Sequence, residues 1–294
     1  MTHTKRRFSI VLALLILVLP ITLAGCGSSK SASSSSDKLA KQKTLVVATS
    51  GTLYPTSFHG DDKKLTGFDV EVAKAVAKGL HKKIQFKEMD VSGTMSALNN
   101  GTVDMAVNDY SISKKREKQF ALSTPYKFSF DSMIVRKKDQ SGIHSFADLK
   151  GKKTGGEAGT SYQRLAKQLG ATPVNYDNVS NDVYLKDVAN GRTDAILNDY
   201  YLQSMALKAL PDMNKKLMIP SNLYFATQNT KNGSGILMKK SNTALKDAVN
   251  KELAKLLKNG TIKKISEKYY GGADVTHKPK VHIAKTFTVK DSEQ

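Results

Sequence analysis

An α/β protein of two similar lobes is what this sequence predicts, and three observations carry the prediction. Short apolar runs alternate with segments of helical period. The stretch "NGTVDMAVNDY" at 100–110 nearly returns as "NGRTDAILNDY" at 190–200, and the only cysteine, Cys26, lies ahead of this whole pattern. Each copy of the repeat reads as a helix end followed by a strand. Gly101 and Gly191 stand where a helix C-terminus wants positive φ, and the runs 105–107 and 195–197 are short enough for buried strands. Asn-Asp then falls at the carboxyl end of each strand, the edge at which open α/β sheets hold ligands. Two lobes are therefore expected to present one carboxylate each to a shared crevice.

The N-terminus has to be set aside from the fold. Lys5, Arg6 and Arg7 precede an apolar run from Phe8 to Leu19 and then "PITLAGC", the layout of a secretory signal over 1–25. The apolar run is too short to span a bilayer comfortably. "LAGC" resembles the lipobox of bacterial lipoproteins, which implies a lipidated Cys26 and a membrane anchor of two acyl chains. The Ser-rich segment that follows, to residue 43, reads as a flexible tether. With no second cysteine, the folded part has no disulfide, thiolate metal site or cysteine nucleophile. Neither a metal nor another cofactor is expected. The 46 basic residues outweigh 26 acidic ones, but no Lys/Arg cluster is interleaved with stacking aromatics. That points away from nucleic acid and towards anionic cell-surface polymers or lipid head groups.

Along the chain, "TLVVATS" at 44–50 is a buried-strand pattern, and "FDVEVAKAVAKGL" puts Phe68, Val72, Ala73 and Val76 on one helical face before the strand "IQFKEM". Strand, helix, strand is a βαβ unit. A second series starts after "DSMIVRKKD", and "GILMKK" returns as a strand before two closing helices. The chain is expected to cross between lobes near 127–131 and again near 222–232. That gives a first lobe of 44–128 and 224–272, a second of 129–223, and a basic tail, 273–294.

"LTGFDVEVAKAVAKGL", "SALNNGTVDMAVNDYSISKKREKQFALSTPY", "FADLKGKKTGGEAGTSY", "ANGRTDAILNDY" and "NGTIKKISEKYYG" together resemble the extracytoplasmic solute-binding proteins of polar amino-acid ABC importers, solute-binding protein family 3. "FHGDDKKLTGF" and "SEKYYGGADVT" resemble the cystine-binding branch most. The resemblance implies a two-lobed, type II periplasmic-binding-protein-like fold with a ligand cleft and a two-strand hinge. It implies a monomer that captures an amino acid, L-cystine or another polar one, and delivers it to an ABC permease.

It also implies site residues. An enclosed amino acid needs a guanidinium fork for its carboxylate and a carboxylate for its ammonium. Arg116 matches the family arginine that clamps the α-carboxylate, although by itself it reads as one more solvated cation beside Lys114, Lys115 and Lys118. Asp199 matches the carboxylate for the α-ammonium; its plain reading is a turn aspartate. Neither is expected to belong to the core. Ser111, Thr160 and Ser161 match hydrogen-bond donors to the carboxylate, and Thr160 or Ser161 also stands where the helix "YQRLAKQLG" needs an N-cap. Tyr54 matches a family aromatic.

There are departures too. "YPTSF" differs in length from the family's usual Tyr-Pro-Pro-Phe, which displaces the following aromatic to Phe58, and Val91 stands where a second aromatic is common, so the aromatic sandwich is half missing. Gly51 stands near the position at which binders of basic amino acids carry an acid. Asp109 replaces a neutral polar residue and has three open readings: contact with a ligand cation, ordering of Arg116, or a turn cap. Two other classes stay open. One is an enzyme, a dehydratase or lyase on the same fold, for which Glu157 is the one extra acid in the cleft; the other is an adhesin using the basic surface.

Overall fold

The computed structural model describes residues 30–228 and 233–290. Two sheets carry the two lobes. Across the first, the strands run in the order Lys83–Glu88, Thr44–Thr49, Met105–Ala106, Leu237–Lys239 and Phe120–Leu122. Across the second they run Thr172–Asn175, Lys153–Gly156, Ala195–Asp199, Asp131–Arg136, Phe225–Thr227 and Lys285–Phe287. In both, three parallel strands are followed by an antiparallel strand belonging to a segment that crosses between lobes. The lobes are thus built to one plan, and the two repeat strands, Met105–Ala106 and Ala195–Asp199, hold the same place in it.

The repeat does the same local work twice. Gly101 and Gly191 end their helices in the left-handed region, with φ of 79° and 76°. The first aspartate of each copy then closes the adjoining strand: Asp104 accepts from the Val46 amide at 2.8 Å, and Asp194 from the Lys153 amide at 2.9 Å. The second aspartates, Asp109 and Asp199, come out at the carboxyl ends of the strands, facing the interlobe space.

Alternation along the strands fills both faces of each sheet. Leu45 and Val47 join Phe68, Val72, Ala73 and Val76 of the helix Phe68–Gly79 in one cluster, while Ala48 packs with Val91 and Leu98 on the other face. In the second lobe Met133 and Val135 pack with Leu165 and Phe225, and Ile134 with Leu185 and Leu207. The crossing segments touch at the Lys127–Ser234 bridge, and Ser234 also bridges to Ser111 of the first lobe.

Three segments depart from the sequence expectation. Phe225–Thr227 pairs with Asp131 in the second sheet, so the return crossing lies within the expected 222–232 but the second lobe runs on to Thr227 rather than ending at 223. Within the expected tether, Lys30–Lys41 is a helix; Lys82 Nζ donates to the Leu39 and Gln42 carbonyls at 2.7 and 2.6 Å, and Leu39 packs on the first-lobe core. The signal segment and Cys26 lie outside the described residues. The tail is structured as well. Val275 is buried in the first-lobe core and its carbonyl accepts from the Phe128 amide, and Lys285–Phe287 then pairs in parallel with Phe225–Thr227. The tail therefore connects the lobes a third time, anchored in the second by Phe287 between Phe146 and Phe225.

Because Phe287 is 6% exposed within that aromatic cluster, Phe287→Ala should lower unfolding stability by about 3 kcal/mol. Chemical denaturation checks this, and an unchanged midpoint would show that the tail strand is not part of the second-lobe core.

Candidate functional site

The two repeat aspartates meet on one lysine. Lys127 lies on the first crossing segment, its side chain 1% exposed, with Nζ 2.6 Å from Asp109 Oδ2 and 2.9 Å from Asp199 Oδ2. A buried ammonium survives only where carboxylates compensate its lost hydration. Burial pulls the Lys127 pKa down, but Asp109 and Asp199 outweigh this and hold it well above the ordinary lysine value. Burial raises the Asp199 carboxyl, and Lys127 opposes the rise. The Tyr270 ring lies 5.5 Å beneath the ammonium and adds a cation–π contact.

The remaining oxygens of the pair are also engaged. Asp109 Oδ1 accepts from Ser234 Oγ at 2.7 Å, and Asp199 Oδ1 caps the helix Tyr200–Ala209 by accepting from the Leu202 amide at 2.9 Å. The backbone at Asp109 is left-handed, with φ of 53°, and is pinned by its amide donating to Asp69 Oδ2 at 2.6 Å. Asp69 also accepts from the Tyr126 hydroxyl at 2.7 Å; burial, seconded by the charge of Asp109, pushes its carboxyl up to about 7.

Asp109 and Asp199 both line a cavity between the lobes that encloses about 1050 Å³ of empty space, its open mouth included. Lys127 does not line it; it holds the carboxylates from behind. Ser111, Arg116, Thr160 and Ser161 are on the cavity wall as well, so six of the seven residues expected from the sequence share one space. Arg116 Nη1 donates to the Ser111 carbonyl at 2.8 Å and to Ser111 Oγ at 3.0 Å, and the guanidinium lies over the Tyr110 ring at 5.2 Å. These contacts aim the group while leaving it without a carboxylate in ion-pairing range among the described residues. Thr160 N-caps the helix Ser161–Gln168 by accepting from the Gln163 amide, which turns that helix's N-terminus towards the cavity.

Tyr54 is the seventh, and it does not line the cavity. Its ring packs edge-on against Phe58 at 4.7 Å, and its carbonyl accepts from Asn181 Nδ2 of the other lobe at 3.1 Å. Of the readings open for Asp109, the one that orders Arg116 has no contact behind it; the partners are Lys127 and Ser234. The core expectation fails for Asp199, which is buried and bonded within the protein. Lys127, Asn108, Tyr162, Tyr176 and Tyr184 were not legible as site residues. The last three line the cavity from the second lobe and supply aromatic surface where the first lobe has Val91. A signal for Lys127 exists in hindsight: it is a single cation among aromatics in "YKFSF", on an expected crossing segment.

Among the described residues no group of His, Cys, Asp and Glu is placed to hold a metal, and no helix is long and apolar enough to cross a membrane. Comparison with known proteins agrees with the architecture. The family model of the bacterial extracellular solute-binding proteins, family 3, matches residues 45–272. The probable ABC transporter extracellular-binding protein YckB of Bacillus subtilis (strain 168) is 46% identical over 245 residues, covering 82% of this chain and 83% of that protein. The L-cystine-binding protein TcyJ of Escherichia coli (strain K12) is 36% identical over 242 residues, covering 82% and 87%. The crystal structure of YckB from Bacillus subtilis superposes with a TM-score of 0.68 at 47% identity, over 85% of this chain and 98% of that one. On the family match, the shared two-lobed fold and the interlobe cavity, this chain belongs to the bacterial extracellular solute-binding proteins, family 3.

Proposed function

We propose that the cavity captures a polar amino acid of no net charge, L-cystine foremost, for delivery to an ABC permease. The observation that carries the reading is Arg116: a partly buried guanidinium on the cavity wall, aimed by Ser111 and left without an acidic partner among the described residues, so that its counter-ion has to come from the ligand. An α-carboxylate there takes donors from Arg116, Ser111, Thr160 and Ser161, and the ammonium reaches Asp199. Tyr54 enters this reading only as an interlobe contact. TcyJ is named for L-cystine, and that name supports the ligand choice. We read the N-terminus as a signal peptide and Cys26 as the lipidated anchor, the chain acting as a monomer outside the cytoplasmic membrane. The anionic-polymer reading of its basic surface is secondary.

The enzyme reading rests on Glu157. It lines the cavity and accepts from the Val91 amide of the other lobe at 3.3 Å. Burial, followed by the charges of Asp177 and Asp90, pushes its carboxyl up to about 7, and the Val91 bond opposes the rise. That bond makes Glu157 a closing contact between lobes, and the relatives compared are named as binding proteins. We therefore read it as a latch and the chain as a binding protein without turnover.

Calorimetry with L-cystine and L-arginine is the direct test, and cystine should bind the more tightly. Arg116→Ala should weaken cystine at least a hundredfold, as expected when a buried charge loses its partner, with little change in the melting temperature of the ligand-free protein. Asp199→Ala should lower affinity and also destabilise the ligand-free protein by about 3 kcal/mol, since it strips a helix cap and leaves Lys127 half compensated. Arginine binding above cystine, or both variants staying within threefold of the parent, would reject the site.

Closure carries a pH dependence. Opening returns Glu157 from about 7 to its ordinary value near 4.5, so closing on a ligand takes up a proton between those values. Affinity should be highest at the acid end, fall as pH rises from 5 to 7 and level off above; Glu157→Gln should flatten the profile. Persistence of the slope in that variant would assign it to Asp69 instead.

Anchoring has its own check. Cys26→Ser should move the protein from the membrane fraction to the medium or leave it unprocessed, and unchanged fractionation with a processed N-terminus would contradict the lipid anchor.

A further inference from the structure

Lys127 has no part in gripping the ligand as described so far. It is buried behind the cavity wall, yet it touches a strand-end aspartate of each lobe, Asp109 and Asp199, both of which line the cavity. We propose that Lys127 is an internal counter-ion that sets the net charge of the amino acid the cleft accepts, by cancelling one of the two carboxylates that Asp109 and Asp199 present. This rests on the amino-acid reading above and goes beyond it in naming what fixes the charge class.

The charges make the argument. Asp109 and Asp199 supply two anions, while Arg116 and Lys127 supply two cations, so the closed site is balanced and its best ligand is a zwitterion without a charged side chain. Asp69 sits behind Asp109, held by the Asp109 amide and the Tyr126 hydroxyl, and Glu157 lies against the Val91 amide; burial draws both towards the neutral form. Inside a closed cleft, screening by water and salt is weak, so an uncompensated unit charge is felt by any ligand placed there. Remove the lysine and the site carries one surplus negative charge, directed at the cavity by the carboxylates that line it. A ligand with one extra positive charge would then restore balance.

Geometry distinguishes this role from that of an ordinary structural ion pair. Lys127 bonds one oxygen of each aspartate, and the other oxygens are held by Ser234 Oγ and the Leu202 amide, so each carboxylate keeps a second anchor when the lysine is replaced. The surplus charge would stay at the cavity wall and not swing away. Because the lysine sits on the crossing segment, both lobes read the same counter-ion.

The test uses two isosteric ligands that differ in charge, L-arginine and L-citrulline, titrated calorimetrically at pH 6, below the value of about 7 at which Asp69 and Glu157 ionise, against the full-length protein and three variants. Lys127→Met should shift the arginine-to-citrulline affinity ratio at least tenfold towards arginine. Asp109→Asn in the parent background, which leaves a surplus positive charge, should shift it at least tenfold away from arginine. The double variant Lys127→Met/Asp109→Asn is charge-balanced and should return the ratio to within threefold of the parent; it also covers the case in which Lys127→Met alone fails to fold. Retained binding with an unchanged ratio in Lys127→Met, or a double variant displaced tenfold from the parent, would overturn the counter-ion role and leave the amino-acid site standing. Absence of detectable binding of either probe and of L-cystine to the parent would overturn the site itself, and the counter-ion with it.

Discussion

A single ammonium joins two carboxylates that reach it from different lobes. Lys127 is almost completely buried, and removing water from such a group costs several kcal/mol unless anions surround it. The fold supplies them by using one plan twice: a helix ended by a left-handed glycine, a short buried strand, and an aspartate at the strand's carboxyl end. Because the plan repeats, Asp109 and Asp199 arrive at the crossing segment from opposite sides. The cavity lies in front of this ion triad, and its floor is charged only because the triad is not neutral without Arg116.

Each member of the cleft then has a defined physical task. Ser111 fixes Arg116 through its carbonyl and its hydroxyl; Thr160 caps the helix whose N-terminus faces the cavity; Asp199 holds both a helix and the lysine. These tasks are compatible with folding in the absence of ligand, since every one but Arg116's is completed within the protein. The interlobe bonds Asn181–Tyr54 and Glu157–Val91 are part-buried and on the long side, at 3.1 and 3.3 Å, as suits contacts that form and break with hinge motion. The tail reinforces the frame by running from the first-lobe core to the free edge of the second sheet, covering a strand edge that would otherwise stand open.

Much of this was legible in the sequence, for identifiable reasons. The helix Phe68–Gly79 and the repeat strands announce themselves through apolar period and paired glycines, which are local signals. Arg116 and Asp199 could be placed because their motifs have neighbours in register. Lys127 could not, because its one local mark, a cation among aromatics in "YKFSF", does not say that it is buried, and its partners lie 18 and 72 residues away. The second-lobe tyrosines were hidden for the same reason, since what makes Tyr176 and Tyr184 cavity residues is the closing of one lobe on the other. The helix Lys30–Lys41 was read as tether from its serines, whereas Leu39 and the Lys82 contacts with its last carbonyls dock it on the first lobe. The strand in the tail was masked by its basic composition, although the aromatic at Phe287 carries the anchoring.

The claim that the two lobes share one counter-ion is tested most directly by a double-mutant cycle on the ligand-free protein, with Lys127→Met, Asp199→Asn and the pair compared by denaturant unfolding. Side chains in contact through a buried charge couple strongly, whereas distant sites add within about 0.5 kcal/mol. A coupling of about 2 kcal/mol or more, with the double variant more stable than the sum of the single losses implies, is the predicted result. Strict additivity would mean that Lys127 and Asp199 do not meet in solution, and the charge-balanced cleft built on their contact would be contradicted.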